Sequence, residues 1–132
     1  MECVDFNLAK KLKEKGFPQH WSDQHYVLEN EYEDDFFEVG AKYPVEVIYD
    51  YIPTIAAPTI PQVLKWLREE KNIHVSSVLW PKGWYVDIQS FTKETGENGV
   101  YYKVNNEFQS IDYETYEEAV IAGVNHCLEN LI

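Results

Sequence analysis

The stretch Ile73–Phe91, IHVSSVLWPKGWYVDIQSF, decides the fold. Its first eight residues are rich in β-branched and apolar side chains. Its last eight alternate, with Tyr85, Asp87 and Gln89 on one side and Trp84, Val86, Ile88 and Ser90 on the other. A period of two is the mark of a strand with one covered face. Pro81, Lys82 and Gly83 between the two runs supply a turn. The sequence therefore predicts an antiparallel hairpin. Beyond it, TKETGENG (Thr92–Gly99) reads as a polar loop and VYYKV (Val100–Val104) as a returning strand. Asn105–Asn106 then offers a tight turn, and EFQSI (Glu107–Ile111) adds a short fourth strand.

Helix signals flank this run on both sides. Upstream, Thr59 and Gln62 have capping-box spacing and Pro61 falls in the first turn, where its missing N–H is harmless. Ile60, Val63, Leu64 and Leu67 recur at i, i+3, i+4 and i+7, with Trp66 flanking the stripe and Asn72 placed as a left-handed stop. Downstream, YETYEEAVIAGVNHC (Tyr113–Cys127) repeats the logic with Thr115 and Glu118. Tyr116, Ala119, Val120, Gly123, Val124, Cys127, Leu128 and Leu131 trace one face of that helix. A glycine inside a helix costs about 1 kcal/mol against alanine. Gly123 on the apolar face thus predicts a bulky close neighbour, a Trp for example. The expected fold class is α+β, an antiparallel sheet with helices packed on one face and a C-terminal part in α-β-β-β-α order.

The N-terminal part is less legible. Asp5 caps a helix over Phe6–Lys15 with Leu8, Ala9 and Leu12 on one face. Gly16, Phe17 and Pro18 stop it. HYVLENEYE (His25–Glu33) and YPVEVIYDYI (Tyr43–Ile52) carry strand character, so two or three strands are expected. The proline-rich PTIAAP (Pro53–Pro58) reads as an extended connector. The length of 132 residues suits a single domain, with possible subregions 1–53 and 59–132 joined by 53–58.

Charge limits function more sharply than any motif. The chain has 23 acidic and 11 basic residues, a formal net charge of −12, and both halves share the excess. Phosphate backbones are bound by clustered Lys and Arg. The densest basic patch here, Lys10, Lys11, Lys13 and Lys15, is countered by Glu2, Asp5 and Glu14. Direct nucleic-acid binding is therefore not expected, whereas a basic protein partner suits an acidic field. No apolar run reaches the roughly 18 residues of a membrane span. The first residues intersperse charges and form no signal peptide, so a cytoplasmic location with reduced Cys3 and Cys127 is expected.

Candidate sites are few. His20, Asp23 and His25 fall close together but match no zinc spacing, so no metal is assigned. His126 and Cys127 are adjacent on a helix and point about 100° apart, which argues against a catalytic dyad. Six acids between Glu29 and Glu38 lack the order of a calcium loop and read as a solvated face or edge-blunting strand charge, with Glu31, Glu33, Asp34 and Asp35 among them as partner-binding candidates. Trp80 and Trp84, beside the turn, are the strongest partner-binding candidates, weighed against a role in covering the sheet. No catalytic or cofactor fingerprint occurs, and no cofactor is implied.

Three resemblances add context. APTIPQVLKWLREEKNIHV, the Gly-Trp-Tyr strand, YETYEEAVIAGVNHCLENLI and the early LAKKLKEKGFPQ resemble a group of small uncharacterised proteins encoded by gut bacteria, their phages and mobile elements. That resemblance implies a genomic setting and no chemistry. The order of elements from Thr59 to Ile132 is similar to a double-stranded RNA-binding domain. In that family basic residues at the start of the last helix clamp phosphates, but Glu114, Glu117 and Glu118 stand at the matching positions here. TYEEAVIAG (Thr115–Gly123) resembles the helix start of HicB-type antitoxins, which bind a small toxin nuclease. The function expected from these features is a non-catalytic protein-binding module, an adaptor or inhibitor of phage or mobile-element origin. The alternatives are a small enzyme with dispersed carboxylates and Tyr residues, or a self-associating structural protein forming a homodimer.

Overall fold

The computed structural model describes residues 3–27, 45–46 and 53–132, with the backbone alone at 45–46, 106–107 and 111–112. The acid run of residues 29–38 lies outside the described residues. The fold is α+β, with two three-stranded antiparallel sheets where one was expected. The chain divides into two compact units, residues 1–63 and 64–132.

In the first unit, helix α1 (Phe6–Glu14) begins where the Asp5 carboxylate accepts the Leu8 N–H at 2.8 Å. It ends in a Schellman arrangement. Gly16 sits at φ +94°, its N–H reaches the Lys13 carbonyl, and the Phe17 N–H reaches the Leu12 carbonyl at 2.9 Å. Leu8, Ala9, Leu12 and Phe17 are buried. A short 3-10 turn at Gln19–Trp21 leads into β1 (Gln24–Val27), the central strand between β2 (Val45–Glu46) and β3 (Thr54–Ala56).

The expected connector 53–58 is thus partly a strand. Alternation was too short to show it, and pairing with β1 decides it: Val27↔Thr54, Tyr26↔Ile55 and His25↔Ala56. Side chains close the remaining backbone groups. Gln19 accepts the Ala56 N–H at 2.7 Å, and the buried Tyr26 hydroxyl donates to the Val4 carbonyl at 2.6 Å. Helix α2 (Ile60–Glu70) opens with the expected box, Gln62 accepting the Thr59 N–H at 2.8 Å and donating its own amide to the Trp21 carbonyl at 2.9 Å.

The second unit takes up the rest of α2, where Trp66, beside the stripe, is buried with Leu67. Asn72 is left-handed at φ 56°, as its stop role requires. Then come β4 (Ile73–Trp80), β5 (Gly83–Gly96), β6 (Gly99–Tyr113) and α3 (Tyr116–Asn130). Strand order is β4-β5-β6. Two expectations change here. Thr92–Gly96 continues the strand instead of looping, because Phe91–Gly96 pairs residue for residue with Val104–Gly99 and leaves only Glu97–Asn98 as turn. Asn105–Asn106 is not a turn either. Ser90 lies opposite Asn106 and Phe91 opposite Val104, so Asn105 is the extra residue of a bulge, and its amide donates to Thr92 Oγ1 at 2.6 Å. β6 is one strand where two were expected.

Helix α3 carries its own box, the Thr115 hydroxyl accepting the Glu118 N–H while the Glu118 carboxylate accepts the Glu114 N–H. It lies across β4 and β5, burying Ala119, Val120, Gly123, Val124, Cys127 and Leu128. The neighbour predicted at Gly123 is a pair of valines, not a Trp. A Cβ there would stand 2.5 Å from Val86 Cγ2 and 3.0 Å from Val75 Cγ1.

Gly123→Ala will therefore destabilise the protein although alanine is the better helix former by about 1 kcal/mol. A net loss of about 1–3 kcal/mol, the usual range for overpacking, is expected in urea unfolding. Val86→Ala in the same chain should recover part of it.

Candidate partner-binding surface

The β4–β5 hairpin is tight because of Gly83. Its φ of +139° is closed to most side chains, and a Cβ would lie 2.9 Å from the Tyr113 carbonyl oxygen. With Trp80 opposite Gly83 and Leu79 opposite Trp84, strand alternation sends the two tryptophans to opposite faces. Trp84 shares the α3 face with Val86 and Ile88. It is half-buried, edge-on to Tyr116 of α3 at 5.6 Å. Trp80 lies on the other face, 59% exposed, its ring edge-on to Tyr85 at 6.0 Å.

Leu79 is 63% exposed and Tyr116 also reaches solvent. The end of the sheet is thus wrapped by apolar groups from Leu79, Trp80, Trp84, Tyr85 and Tyr116. Trp80 is the more exposed of the two, while Trp84 is braced by the fold. Leu79 and Tyr116 were not singled out by sequence, since their types and spacing also fit covered positions. Around this end, Glu114, Glu117 and Glu118 at the start of α3 are exposed. Lys82 in the turn is exposed as well.

Other sequence candidates resolve differently. Glu31, Glu33, Asp34 and Asp35 lie outside the described residues. His25 spends both ring nitrogens within the protein, on Thr54 Oγ1 at 3.1 Å and the Ser22 carbonyl at 3.0 Å. Among the described residues no three His, Cys, Asp or Glu side chains gather as a metal site would need. His126 stacks on Phe108 of β6, with ring centroids 3.7 Å apart, and meets the Asn130 amide. Cys127 points into the core, where burial pushes its thiol up to about 12. The two therefore do not work as a pair. Both cysteines are free thiols. In the first unit an open groove of about 400 Å³ borders Lys10, Lys13, Glu14 and Ile55.

No described helix is long and apolar enough to cross a membrane. A scan against protein-family models finds no match, and searches of curated proteins and of solved structures find none that is significant.

Trp80→Ala should leave stability within about 0.5 kcal/mol of the parent, as exposed positions do. Trp84→Ala should cost about 1–3 kcal/mol by removing its packing on Tyr116. Urea unfolding of both variants checks this. Native protein at pH 8 should titrate Cys3 with a thiol reagent and leave Cys127 untouched until denaturant is added. Because the folded Cys127 thiol keeps its proton to about pH 12 against 9.0 for an ordinary one, its contribution to stability is intact below pH 9. That contribution is lost as pH climbs toward 12, which unfolding measured across alkaline pH will show.

Proposed function

We propose that this chain is a non-catalytic protein-binding module whose partner is a basic protein. The observation that carries the reading is the Trp80 end of the second sheet, an exposed aromatic and aliphatic knob at the end where α3 begins with the exposed Glu114, Glu117 and Glu118. Interface hot spots are enriched in Trp and Tyr with polar groups about them, and Trp80 beside Tyr85 offers such a centre. The net charge of −12 supports it from a distance, because an acidic field speeds encounter with a cationic surface and repels most others. A partner that presents clustered Lys and Arg, such as the nucleic-acid site of a nuclease or toxin, fits that field. An adaptor or inhibitor from a phage or mobile element is the biological setting we propose, on the resemblance of the helix and strand segments noted above. Acting in the cytoplasm is part of the same proposal.

Immobilised protein should retain a basic partner from a host lysate at low salt and release much of it at moderate salt. Trp80→Ala and Glu114→Gln/Glu117→Gln should each cut retention at least about tenfold while the fold is preserved. A lysate from which the parent protein retains nothing at low salt overturns the reading. So does a partner held equally well by the Trp80→Ala variant.

A further inference from the structure

At the far end of the same sheet the structure holds a second apolar surface that carries no net charge. β4 begins at Ile73, opposite Ser90, so beyond that point β5 and β6 continue as a two-stranded ribbon, Phe91–Val104. Register places Val100, Tyr102 and Val104 of β6 on one face with Phe91 of β5, the face that does not carry Val86 and Ile88. Phe91 and Tyr102 meet edge-on at 5.3 Å. Tyr102 is nonetheless 60% exposed, and Val100 and Val104 are exposed beside it. On the opposite face the Tyr101 hydroxyl donates to the Glu94 carboxylate at 2.6 Å, a bond that raises the phenol's pKa and stiffens the ribbon.

Two-stranded ribbons are marginally stable in water unless a face is covered, and contiguous apolar patches above a few hundred Å² are uncommon on monomers. The charge pattern indicates which occupant such a face suits. Within Phe91–Val104 the charged residues are Lys93, Glu94, Glu97 and Lys103, so the ribbon is neutral in a chain of net charge −12. A basic partner gains little attraction there. Two copies of an acidic chain repel wherever acids face each other, and like-charge contacts are costly, so a neutral apolar ribbon is where they can meet. Lys93, the one charge on the apolar face, lies on the β5 edge left open beyond Ser90, where its long stem lets the ammonium reach water.

We infer that the Val100–Tyr102–Val104 face of the ribbon is a self-association surface that seats against the same face of a second copy in a two-fold dimer. A self-complementary patch is what closed two-fold symmetry requires. The surface lies roughly 25 Å along β5 from the Trp80 knob, at about 3.3 Å per residue between Tyr85 and Lys93. It therefore leaves that knob open and stands independently of the partner-binding reading.

Sedimentation equilibrium of the 132-residue chain over a range of concentrations tests this. The parent should show a monomer–dimer equilibrium, and Val100→Thr/Val104→Thr, which keeps strand-compatible shapes, should weaken it about tenfold or more. Trp80→Ala should leave it unchanged. Amide exchange on the parent alone supplies a second readout that needs no variant, with concentration-dependent protection confined to residues 91–104. A parent that stays monomeric at about 200 µM overturns the inference, since such an affinity would be weaker than most specific interfaces. Self-association that ignores the two threonines, that vanishes with Trp80→Ala, or that protects amides elsewhere overturns it as well.

Discussion

The second unit depends on one close approach. Helix α3 can lie on β4 and β5 because position 123 has no side chain, and the methyl groups of Val75 and Val86 fill the space a Cβ would take. Helices and sheets ordinarily keep a layer of side chains between them. Here that layer is locally removed from the helix side, and close packing of this kind is unforgiving of a single added carbon. The unfavourable helix propensity of glycine is offset by burying Val120, Val124, Cys127 and Leu128 around the contact. The raised pKa of the Cys127 thiol follows from the same burial.

The first unit is held by a different device. Its strands are short, and a three-residue strand such as Thr54–Ala56 offers few ladder bonds. Side chains supply the rest. Gln19, Gln62 and Tyr26 each bond backbone groups distant in sequence, tying α1, the 3-10 turn and the start of α2 to the sheet. Such buried, directional bonds contribute only about 1 kcal/mol each when made, but leaving their partners unsatisfied is costly, so they specify one arrangement.

Neither device uses the aromatic residues at the two ends of the second sheet. Trp80 and Tyr102 are large, exposed and edge-on to another ring. Beside one end α3 begins with three exposed glutamates, and the ribbon at the other carries no net charge. On that contrast rest our two proposals, a basic partner at the first surface and a second copy at the second.

Sequence by itself determined the helices, their caps and the hairpin. Asp5, Gly16, Thr59, Asn72 and Thr115 act through bonds and dihedrals within a few residues, so spacing alone reveals them. Trp80 and Trp84 were legible as candidates for the same reason, since the turn beside them is local. Only the tertiary structure decided that they face opposite ways, that Thr54–Ala56 is a strand, and that Asn105 is a bulge rather than a turn. The facing of the tryptophans rests on the register of the hairpin. The other two rest on partner strands more distant in sequence, and a dipeptide such as Asn-Asn serves a turn or a bulge equally well until that partner is known. Exposure of Val100, Tyr102 and Val104 was hidden for a related reason: an alternating strand looks the same whether or not its apolar face is covered.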